Sequence, residues 1–428
     1  YNYYHWWPAE KGEPPLRLSY FDEEGNAWMY NKSTDSYYLH YFSRKQPDLN
    51  WENPEVRQEI FDMMRFWFDK GIDGFRMDSI SLIAKDPSFP LIDSKKYPDI
   101  FSFYAKEPRL HLYLHEMNRQ VLSKYDCMSV GEGSAVMVDD VAKFVDPARE
   151  ELNMLYHFDA ARIRNTTLPD NPESGIDYSL IALKKMFTEW DKAVDKGWPS
   201  IYLGNHDQPR MVSRFGSDKD EFRALSAKML ITFLLTMRGT PYWFAGDEIG
   251  MRNIRFDRIE DYNDIDTINR YKKAKAEGKD PQAVLDEQKE TGRDNARTPF
   301  QWDRSPEAGF TAGTPWLKVN PDYTWINVAD EEKDPTSILN YFKKVVSFRK
   351  ENPSLIYGSY HLLDAENPQC YIFLRKTGAD TYLIMLNFSP KAAISTPGID
   401  MSNAHVLLDN YGDRSHMAPQ KDITLRPF

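Results

Sequence analysis

Three short apolar runs in this 428-residue chain each lead to a carboxylate, and this repetition limits the fold more than any other feature of the sequence. The three acids are Asp78, Glu132 and Asp207. In a barrel of parallel strands surrounded by helices, the catalytic residues lie at the C-terminal ends of several strands. The pattern therefore predicts an α/β protein built on a (β/α)8 barrel, with an acidic site at one end.

The first run pairs its acid with a cation, since Arg76 precedes Asp78 by two residues. Side chains two residues apart point to the same face of a strand. A guanidinium in that place favours an ionised aspartate, as an anionic nucleophile requires. An isolated pair of this kind is more often a structural ion pair at a strand end, so the catalytic interpretation depends on the two further runs.

The other two acids fit complementary tasks in the hydrolysis of a glycosidic bond. That reaction needs one ionised carboxylate at the sugar and one protonated carboxyl group that gives a proton to the leaving oxygen. Glu132 has no cation adjacent in sequence, which suits the proton donor, although a solvated acid at the start of a loop fits as well. Asp207 follows His206, and this pair suits two neighbouring sugar hydroxyls. With Asn205 before them, the same residues are also typical of a turn capped by asparagine.

Composition excludes several other kinds of function. The net charge of −11 and the isoelectric point near 5.4 oppose binding to nucleic acid or to an anionic membrane surface. No apolar run is long enough to cross a bilayer. The two cysteines, Cys127 and Cys370, lie far apart in apolar stretches, so we expect reduced thiols rather than a disulfide framework. Reduced thiols suit a reducing compartment such as the cytoplasm. We also expect a monomer that acts on a small-molecule substrate.

Helical periodicity alternates with the strand-like runs, which is typical of parallel βα units. Asn53 followed by Pro54 is a typical helix start. We expect helices at about 53–71, 108–124, 138–147, 178–195 and 218–238, and strands that end near residues 78, 132, 158, 203 and 245. A closed barrel needs eight strands. We therefore expect three βα units to precede residue 1 of this chain.

The remaining segments have other patterns. Residues 1–50 lack a sustained period and carry many aromatic residues, so we expect an irregular lobe with one or two short strands. We expect one charged helical stretch near 266–290 and an amphipathic helix at about 335–350. From Leu355 the pattern alternates between apolar and polar residues, which predicts an antiparallel β domain at the C-terminus.

Together, the motifs at the three acids resemble those of the α-amylase clan of (β/α)8 glycosidases. These motifs are Gly-Phe-Arg-Met-Asp at 74–78, Val-Gly-Glu at 130–132 and Asn-His-Asp-Gln-Pro-Arg at 205–210. Three further stretches are similar to the oligo-1,6-glucosidase and α-glucosidase branch: Gln-Pro-Asp-Leu-Asn-Trp at 46–51, Glu-Leu-Asn-Met at 151–154 and Arg-Asp-Asn-Ala-Arg-Thr-Pro at 293–299. The resemblance extends over essentially the whole chain.

The resemblance implies a role for each acid. Asp78 would be the nucleophile, Glu132 the general acid/base and Asp207 the stabiliser of the transition state. Five further residues would contact the sugar in the −1 subsite or line that subsite: Arg76, His206, Phe42, Gln46 and Arg293. The resemblance also implies three domains, which are an inserted lobe after the third barrel strand at 1–50, a catalytic barrel at 51–350 and a C-terminal β-sandwich at 351–428.

The implied activity is that of a retaining, exo-acting α-glucosidase that hydrolyses α-1,4 or α-1,6 bonds in short oligosaccharides. A relative that transfers or isomerises the glucosyl group of sucrose or trehalose would use the same acids, and a non-catalytic scaffold of the same fold is a third alternative. The chemistry requires no cofactor, and a structural calcium would bind in a segment before residue 1. Family members that prefer α-1,6 bonds carry valine where Ser79 follows the nucleophile, so the linkage preference stays open.

Overall fold

The structure, a computed structural model, describes residues 2–21, 25–93, 95–97, 100–378, 380–412 and 422–428. The chain forms two compact units. The first unit comprises residues 1–158 with 192–199, and the second comprises residues 159–191 with 200–428. None of the described helices is long and apolar enough to cross a membrane. The predicted domain boundaries at residues 50 and 350 stay predictions.

Aromatic residues build the beginning of the first unit into a small antiparallel sheet. Its strands are β1 (Trp6–Pro8), β2 (Trp28–Asn31) and β3 (Ser36–Leu39), in the order β1-β3-β2. Trp6 lies opposite Tyr38 and Tyr30 lies opposite Tyr37, and cross-strand aromatic pairs of this kind stabilise a sheet. We expected one or two strands here and the structure has three, because strands of three or four residues are too short to show an alternating pattern.

Three parallel strands with their helices follow in the first unit. The helices are α1 (Pro54–Asp69), α2 (Ile100–Tyr104), α3 (Arg109–Gln120) and α4 (Ala142–Val145), and the strands are β4 (Gly74–Met77), β5 (Met128–Glu132) and β6 (Met154–Tyr156). The strands form one sheet in the order β4-β5-β6. As predicted, α1 begins at Pro54, where the side chain of Asn53 accepts a hydrogen bond from the Glu55 N–H.

The register of β4 and β5 sets the ends of these two strands side by side. Arg76 pairs with Val130 and Met77 pairs with Gly131, so the residue after Met77 lies next to Glu132. A Cβ on Gly131 would lie only 2.7 Å from the nearest side-chain atom, so glycine is needed for this close packing. The sheet therefore brings the ends of the first two apolar runs together.

The second unit begins with helices and a short parallel pair of strands. The helices are α5 (Asp159–Thr166), α6 (Leu180–Ala193), α7 (Met211–Phe215) and α8 (Arg223–Thr236), and the paired strands are β7 (Ser200–Ile201) and β8 (Thr240–Pro241). The described residues of the two units thus contain five strands in parallel sheets, the number that the sequence predicted. The helix α5 was not predicted.

A long connection and further helices follow in the second unit. The helices are α9 (Ile265–Ala276), α10 (Pro281–Thr291), α11 (Val328–Glu331), α12 (Ile338–Glu351) and α13 (Pro353–Tyr357). The charged stretch expected at 266–290 is two helices, because Gly278 adopts a left-handed conformation with φ 70° and Asp280 caps a new helix. The helix α12 matches the one expected at about 335–350 and packs on α8.

The C-terminal part of the second unit is antiparallel, as the alternating pattern predicted. One sheet contains β9 (Ser359–Leu363), β10 (Cys370–Thr377) and β11 (Asp380–Asn387), and β12 (Ala393–Ser395) pairs with β13 (Ile423–Leu425). The buried Lys184 of α6 binds this part through three backbone carbonyls, those of Asp364, Asn367 and Cys370. Cys370 and Cys127 are free thiols, as expected, the first buried and the second half-buried.

Candidate active site

One guanidinium binds two carboxylates at the ends of β4 and β5. Arg76 donates through Nη1 to Oδ1 of Asp78, and its Nη2 lies 3.1 Å from Oε2 of Glu132. The backbone N–H of Ser79 donates to the same Glu132 oxygen over 2.8 Å. The first two acids found in the sequence therefore lie close to each other, joined through Arg76.

A residue in the left-handed conformation completes this arrangement. Ser79 adopts φ 44° and ψ 33° directly after Asp78, which is uncommon for residues other than glycine. Its N–H contacts Glu132, while the side chain of Asp78 is 74% exposed. Backbone strain of this kind persists where the surrounding structure holds it, and it clusters at functional sites.

The environment of Glu132 raises the pKa of its carboxyl group. The side chain is only 9% exposed, and burial raises the pKa of the carboxyl group above its ordinary value. The Ser79 N–H and the Arg76 guanidinium oppose this rise, whereas the charge of Asp78 and a hydrogen bond with it add to the rise. The net direction is upward, as a proton donor near neutral pH requires.

A cation lies beside Glu132 in the fold, although none is adjacent to it in sequence. Arg76 belongs to a different strand, and the parallel pairing of β4 with β5 brings its guanidinium to the carboxylate. Burial nevertheless outweighs this cation in setting the pKa of Glu132. The pKa of Glu132 is therefore raised for a reason that adjacency in sequence does not reveal.

Two further residues expected in the −1 subsite belong to the beginning of the first unit. Phe42 is half-buried, and its ring lies 5.8 Å from that of Phe21 and 6.2 Å from that of Tyr20. The exposed Gln46 accepts a hydrogen bond from the Ser43 N–H through its side-chain oxygen. These contacts define an aromatic cluster and a turn, and contact of either residue with a sugar stays a prediction.

The second unit holds the third acid among cations. Oδ1 of Asp207 accepts hydrogen bonds from Nη2 of Arg297 over 2.6 Å and from Nη1 of Arg293 over 3.2 Å. Oδ2 of Asp207 lies 3.2 Å from Nε2 of His206. This cluster unites three predicted site residues with one, Arg297, that the sequence analysis did not assign to the site.

These cations keep Asp207 ionised. Burial alone would raise the pKa of its carboxyl group, but the hydrogen bond and charge of His206 and the charges of the two arginines lower the pKa well below its ordinary value. The side chain is 28% exposed, so a ligand can reach it. An ionised, accessible carboxylate is a strong acceptor for hydroxyl groups.

Asn205 forms the capped turn that the sequence left open as an alternative. Its side-chain oxygen accepts a hydrogen bond from the Asp207 N–H over 2.8 Å. The turn and the ionic cluster coexist, because the cap uses the backbone of Asp207 and leaves its carboxylate to the arginines. Asp207 therefore takes part in both the capped turn and the ionic cluster.

Asp264 contacts both arginines of this cluster. Its Oδ1 accepts a hydrogen bond from Nη2 of Arg293 and lies 3.7 Å from Nη1 of Arg297. Its Oδ2 accepts a hydrogen bond from the Thr267 N–H, so Asp264 is also the N-cap of α9. The sequence signal was an aspartate before a helical period, which predicts a cap but not an ion pair with an arginine 29 residues away.

Both clusters set carboxylates against guanidinium groups. Among the described residues, no group of three or more histidine, cysteine, aspartate or glutamate side chains is arranged to hold a metal ion. The expectation that the chemistry requires no cofactor stays a prediction.

Comparisons with known sequences identify relatives along the whole chain. Residues 1–358 match the family described as "Alpha amylase, catalytic domain". The chain is 47% identical over 438 residues to the oligo-1,6-glucosidase of Parageobacillus thermoglucosidasius, and 43% identical over 437 residues to that of Bacillus cereus. Each match covers 100% of this chain and 76% of the relative.

A solved structure gives the same result for the fold. The crystal structure of the trehalulose synthase MutB from Pseudomonas mesoacidophila MX-45 is 38% identical and matches with a TM-score of 0.92, over 100% of this chain and 76% of that one. This likeness confirms the predicted fold class, a (β/α)8 barrel with a C-terminal antiparallel β domain. Sequence and structure therefore lead to one conclusion, which is that the chain belongs to the alpha-amylase catalytic-domain family.

Proposed function

We propose that the protein is a retaining, exo-acting α-glucosidase that hydrolyses α-1,4 or α-1,6 glucosidic bonds in short oligosaccharides. The relatives named oligo-1,6-glucosidase, at 47% and 43% identity, support this substrate class. As a glycoside hydrolase of the alpha-amylase family, the protein takes a carbohydrate as its substrate. The observation that carries the proposal is the sharing of Arg76 between an exposed Asp78 and a buried Glu132.

The two carboxyl groups differ in the property that each role needs. The exposed Asp78 carboxylate, held by Arg76, attacks the anomeric carbon and forms a glycosyl ester. The buried Glu132, whose pKa is raised, gives its proton to the leaving oxygen. The resulting Glu132 carboxylate then removes a proton from the water that attacks the ester. Two inversions at the anomeric carbon retain its configuration.

Asp207 binds the sugar in this mechanism. Its ionised carboxylate accepts hydrogen bonds from sugar hydroxyls, and His206 lies beside it as a second polar contact. Hydrogen bonds to the hydroxyl next to the anomeric carbon strengthen as the ring distorts and gains positive charge. An acceptor that stays ionised across the working pH range is therefore favoured at this position.

Retention also predicts the distance between the carboxyl groups of Asp78 and Glu132. In retaining glycosidases this separation is about 5–5.5 Å, whereas inverting enzymes need about 6.5–9.5 Å to admit a water molecule. A crystal structure with a bound sugar measures it. A separation above about 9 Å would exclude the proposed roles.

One observation favours a second candidate function, the transfer or isomerisation of a glucosyl group. The solved structure reported above is that of a trehalulose synthase. Hydrolysis and transfer share the glycosyl ester, and they differ in whether water or a sugar hydroxyl attacks it. The two activities are therefore separated by their products rather than by their acids.

Product analysis tests the proposal directly. The purified protein is incubated separately with maltose, isomaltose, sucrose and trehalose, and the products are identified by chromatography and by NMR of the first-formed anomer. Release of α-glucose from maltose or isomaltose is the expected result. Conversion of sucrose or trehalose into an isomer would instead establish the second candidate, and the absence of product from all four sugars would leave the non-catalytic scaffold.

We also propose that the protein is a cytoplasmic monomer whose chemistry requires no metal ion. The free thiols of Cys127 and Cys370 suit a reducing compartment. Light scattering of the purified protein measures its mass in solution. Dialysis against a chelator should leave activity unchanged, and a loss that added calcium restores would show a metal requirement.

A further inference from the structure

We propose that Asp264 is a positioning residue for Asp207 and that it acts through Arg293 and Arg297. This inference rests on the proposed function, in which Asp207 binds the sugar. It adds to the site a side chain whose effect on the substrate is indirect. Four charged side chains of the second unit carry the argument.

Carboxylates and guanidinium groups alternate in this cluster. Arg293 contacts Asp207 through Nη1 and Asp264 through Nη2. Arg297 contacts Asp207 through Nη2 and Asp264 through Nη1. A guanidinium is planar and its donors have fixed directions, so a carboxylate on one edge determines where the other edge points. Arg293 is therefore a rigid link between the two aspartates, and Arg297 adds a longer contact of 3.7 Å with Asp264.

Asp264 is the fixed member of the cluster. Its side chain is 2% exposed, and its Oδ2 accepts hydrogen bonds from the N–H of Thr267 over 3.2 Å and from its hydroxyl over 3.0 Å. The Asp264 N–H donates to the carboxylate of Asp294 over 2.8 Å. Asp264 also caps the 12-residue helix α9, where the helix dipole favours an anion. These contacts hold Asp264 in place, whereas Asp207 is the accessible member.

Asp264 also balances the charge around Asp207. The two arginines and Asp207 alone would carry an excess positive charge, and the Arg293 guanidinium would be free to turn fully towards Asp207, whereas Arg297 is also held by the His206 carbonyl over 2.8 Å. With Asp264 present, the four charges cancel. Both arginines then donate to Oδ1 of Asp207, and Oδ2 lies beside His206. This arrangement leaves lone pairs of Asp207 in a defined direction for sugar hydroxyls.

The substitution Asp264→Asn separates the charge of this residue from its role as a helix cap. Asparagine caps a helix as well as aspartate does, so the side-chain oxygen can keep its bond from the Thr267 N–H while the charge is lost. The matched control is Asp280→Asn, the same change at the N-cap of α10, where the exposed side chain accepts from the Gln282 N–H.

We expect Asp280→Asn to melt within about 2 °C of the parent, because it keeps its cap at an exposed site. Asp264→Asn should melt lower although it keeps its cap, because Arg293 loses a charged acceptor at a buried site. For Asp264→Asn, kcat/KM on the preferred disaccharide should fall about 10- to 100-fold, mainly through kcat, as a small displacement of a catalytic group does. Asp280→Asn should keep the kinetic constants of the parent. Activity is measured well below the melting temperature of Asp264→Asn, where the variant is folded, and parental kinetics there would overturn the inference.

A double-mutant cycle shows whether the loss passes through Asp207. In an Asp207→Asn background, adding Asp264→Asn should cost less than about twofold, because the residue to be positioned has already lost its charge. A nitrophenyl glucoside keeps the slow variants measurable. An equal loss in both backgrounds would overturn the inference. A parent protein inactive on every glucoside would instead overturn the proposed function.

Discussion

The acids of the two units have different numbers of cationic partners. In the first unit, the single guanidinium of Arg76 serves both Asp78 and Glu132. In the second unit, two guanidinium groups and an imidazole contact Asp207, and Asp264 shares the two guanidinium groups. All three acids follow similar apolar runs in the sequence. The position of an acid at the end of a strand therefore does not determine the pKa of its carboxyl group.

The comparison shows which groups separate the two kinds of acid. Burial is the largest influence on both Glu132 and Asp207, and it raises the pKa of each carboxyl group. One shared cation leaves the pKa of Glu132 raised, whereas the cations around Asp207 more than reverse the effect of burial. The number of cationic partners thus distinguishes Glu132, the proposed proton donor, from Asp207, the carboxylate that stays ionised.

The largest expected effect is that of Asp78→Asn, the exposed acid of the shared pair. An amide cannot form the glycosyl ester, so kcat should fall by about 10⁴-fold or more. Steady-state kinetics on the preferred disaccharide measure this loss. The matched control is Asp73→Asn, an exposed aspartate just before β4, which should keep parental activity. Activity of Asp78→Asn within about tenfold of the parent would contradict the assignment.

Glu132→Gln tests the buried acid of the same pair. Proton transfer contributes about 10²- to 10⁴-fold, so turnover of a disaccharide should fall by that factor. A nitrophenyl glucoside needs no protonation of its leaving group, so it should still react with Asp78, and the ester should accumulate. Azide needs no general base and should release α-glucosyl azide, which NMR detects. If added azide gives no glucosyl azide, Glu132 is not the acid/base.

The fold could be predicted where the signal is local. Asn53 and Pro54 predicted the start of α1, and sustained apolar periods predicted α3, α6, α8 and α12. The short helix α5 has a weaker period, and it is held by a distant contact in which the Trp190 indole donates to Asp159. The turn at Gly278 divides a charged stretch whose two halves look alike in sequence.

The acids of the site could be predicted, but their partners could not. Asp78, Glu132 and Asp207 are visible in the sequence because they follow apolar runs. Arg76 reaches Glu132 through the register of two strands, and Asp264 reaches the arginines across a long connection. The charge balance on which the comparison depends comes from these long-range contacts, which exist only in the folded chain.

A smaller effect is expected at Ser79, which belongs to the first cluster and follows the nucleophile. Because this side chain is small, we expect α-1,4 bonds to be accepted at least as well as α-1,6 bonds. Ser79→Val should change the relative kcat/KM for maltose and isomaltose by about 1–3 kcal/mol in favour of isomaltose. A parent that strongly prefers isomaltose, with no further shift in the variant, would remove Ser79 from the account of specificity.

The control for Ser79→Val must separate the effect of side-chain size from the effect of backbone strain at this residue. Ser79 has φ 44°, a conformation that a β-branched side chain adopts at extra cost. Ser79→Ala removes the hydroxyl without adding a branch, so it should leave the ratio for the two disaccharides near that of the parent. The melting temperature of each variant then shows how much of any loss comes from the backbone.

The smallest expected effects are changes in the free energy of unfolding, and they have opposite signs for Glu132→Gln and Asp207→Asn. At pH 7, Glu132→Gln should raise the free energy of unfolding by about 0.5–2 kcal/mol, because it removes a buried carboxyl group that is costly to ionise. Asp207→Asn should lower the free energy of unfolding by about 1–3 kcal/mol, because its partners lose hydrogen bonds to a charged group. Denaturant unfolding of the parent and the two variants measures both changes.

The pH dependence of these changes follows from the directions of the two pKa shifts. A glutamate with a raised folded pKa costs nothing below its unfolded pKa of about 4.3, and the cost grows as the pH rises towards the folded value. An aspartate with a lowered folded pKa stabilises fully above its unfolded pKa of about 3.9, and this stability is lost as the pH falls towards the folded value. The gain in Glu132→Gln should therefore disappear near pH 4, and the loss in Asp207→Asn should shrink only below about that pH. The same sign for both variants at pH 7 would show that charge balance does not separate the two acids.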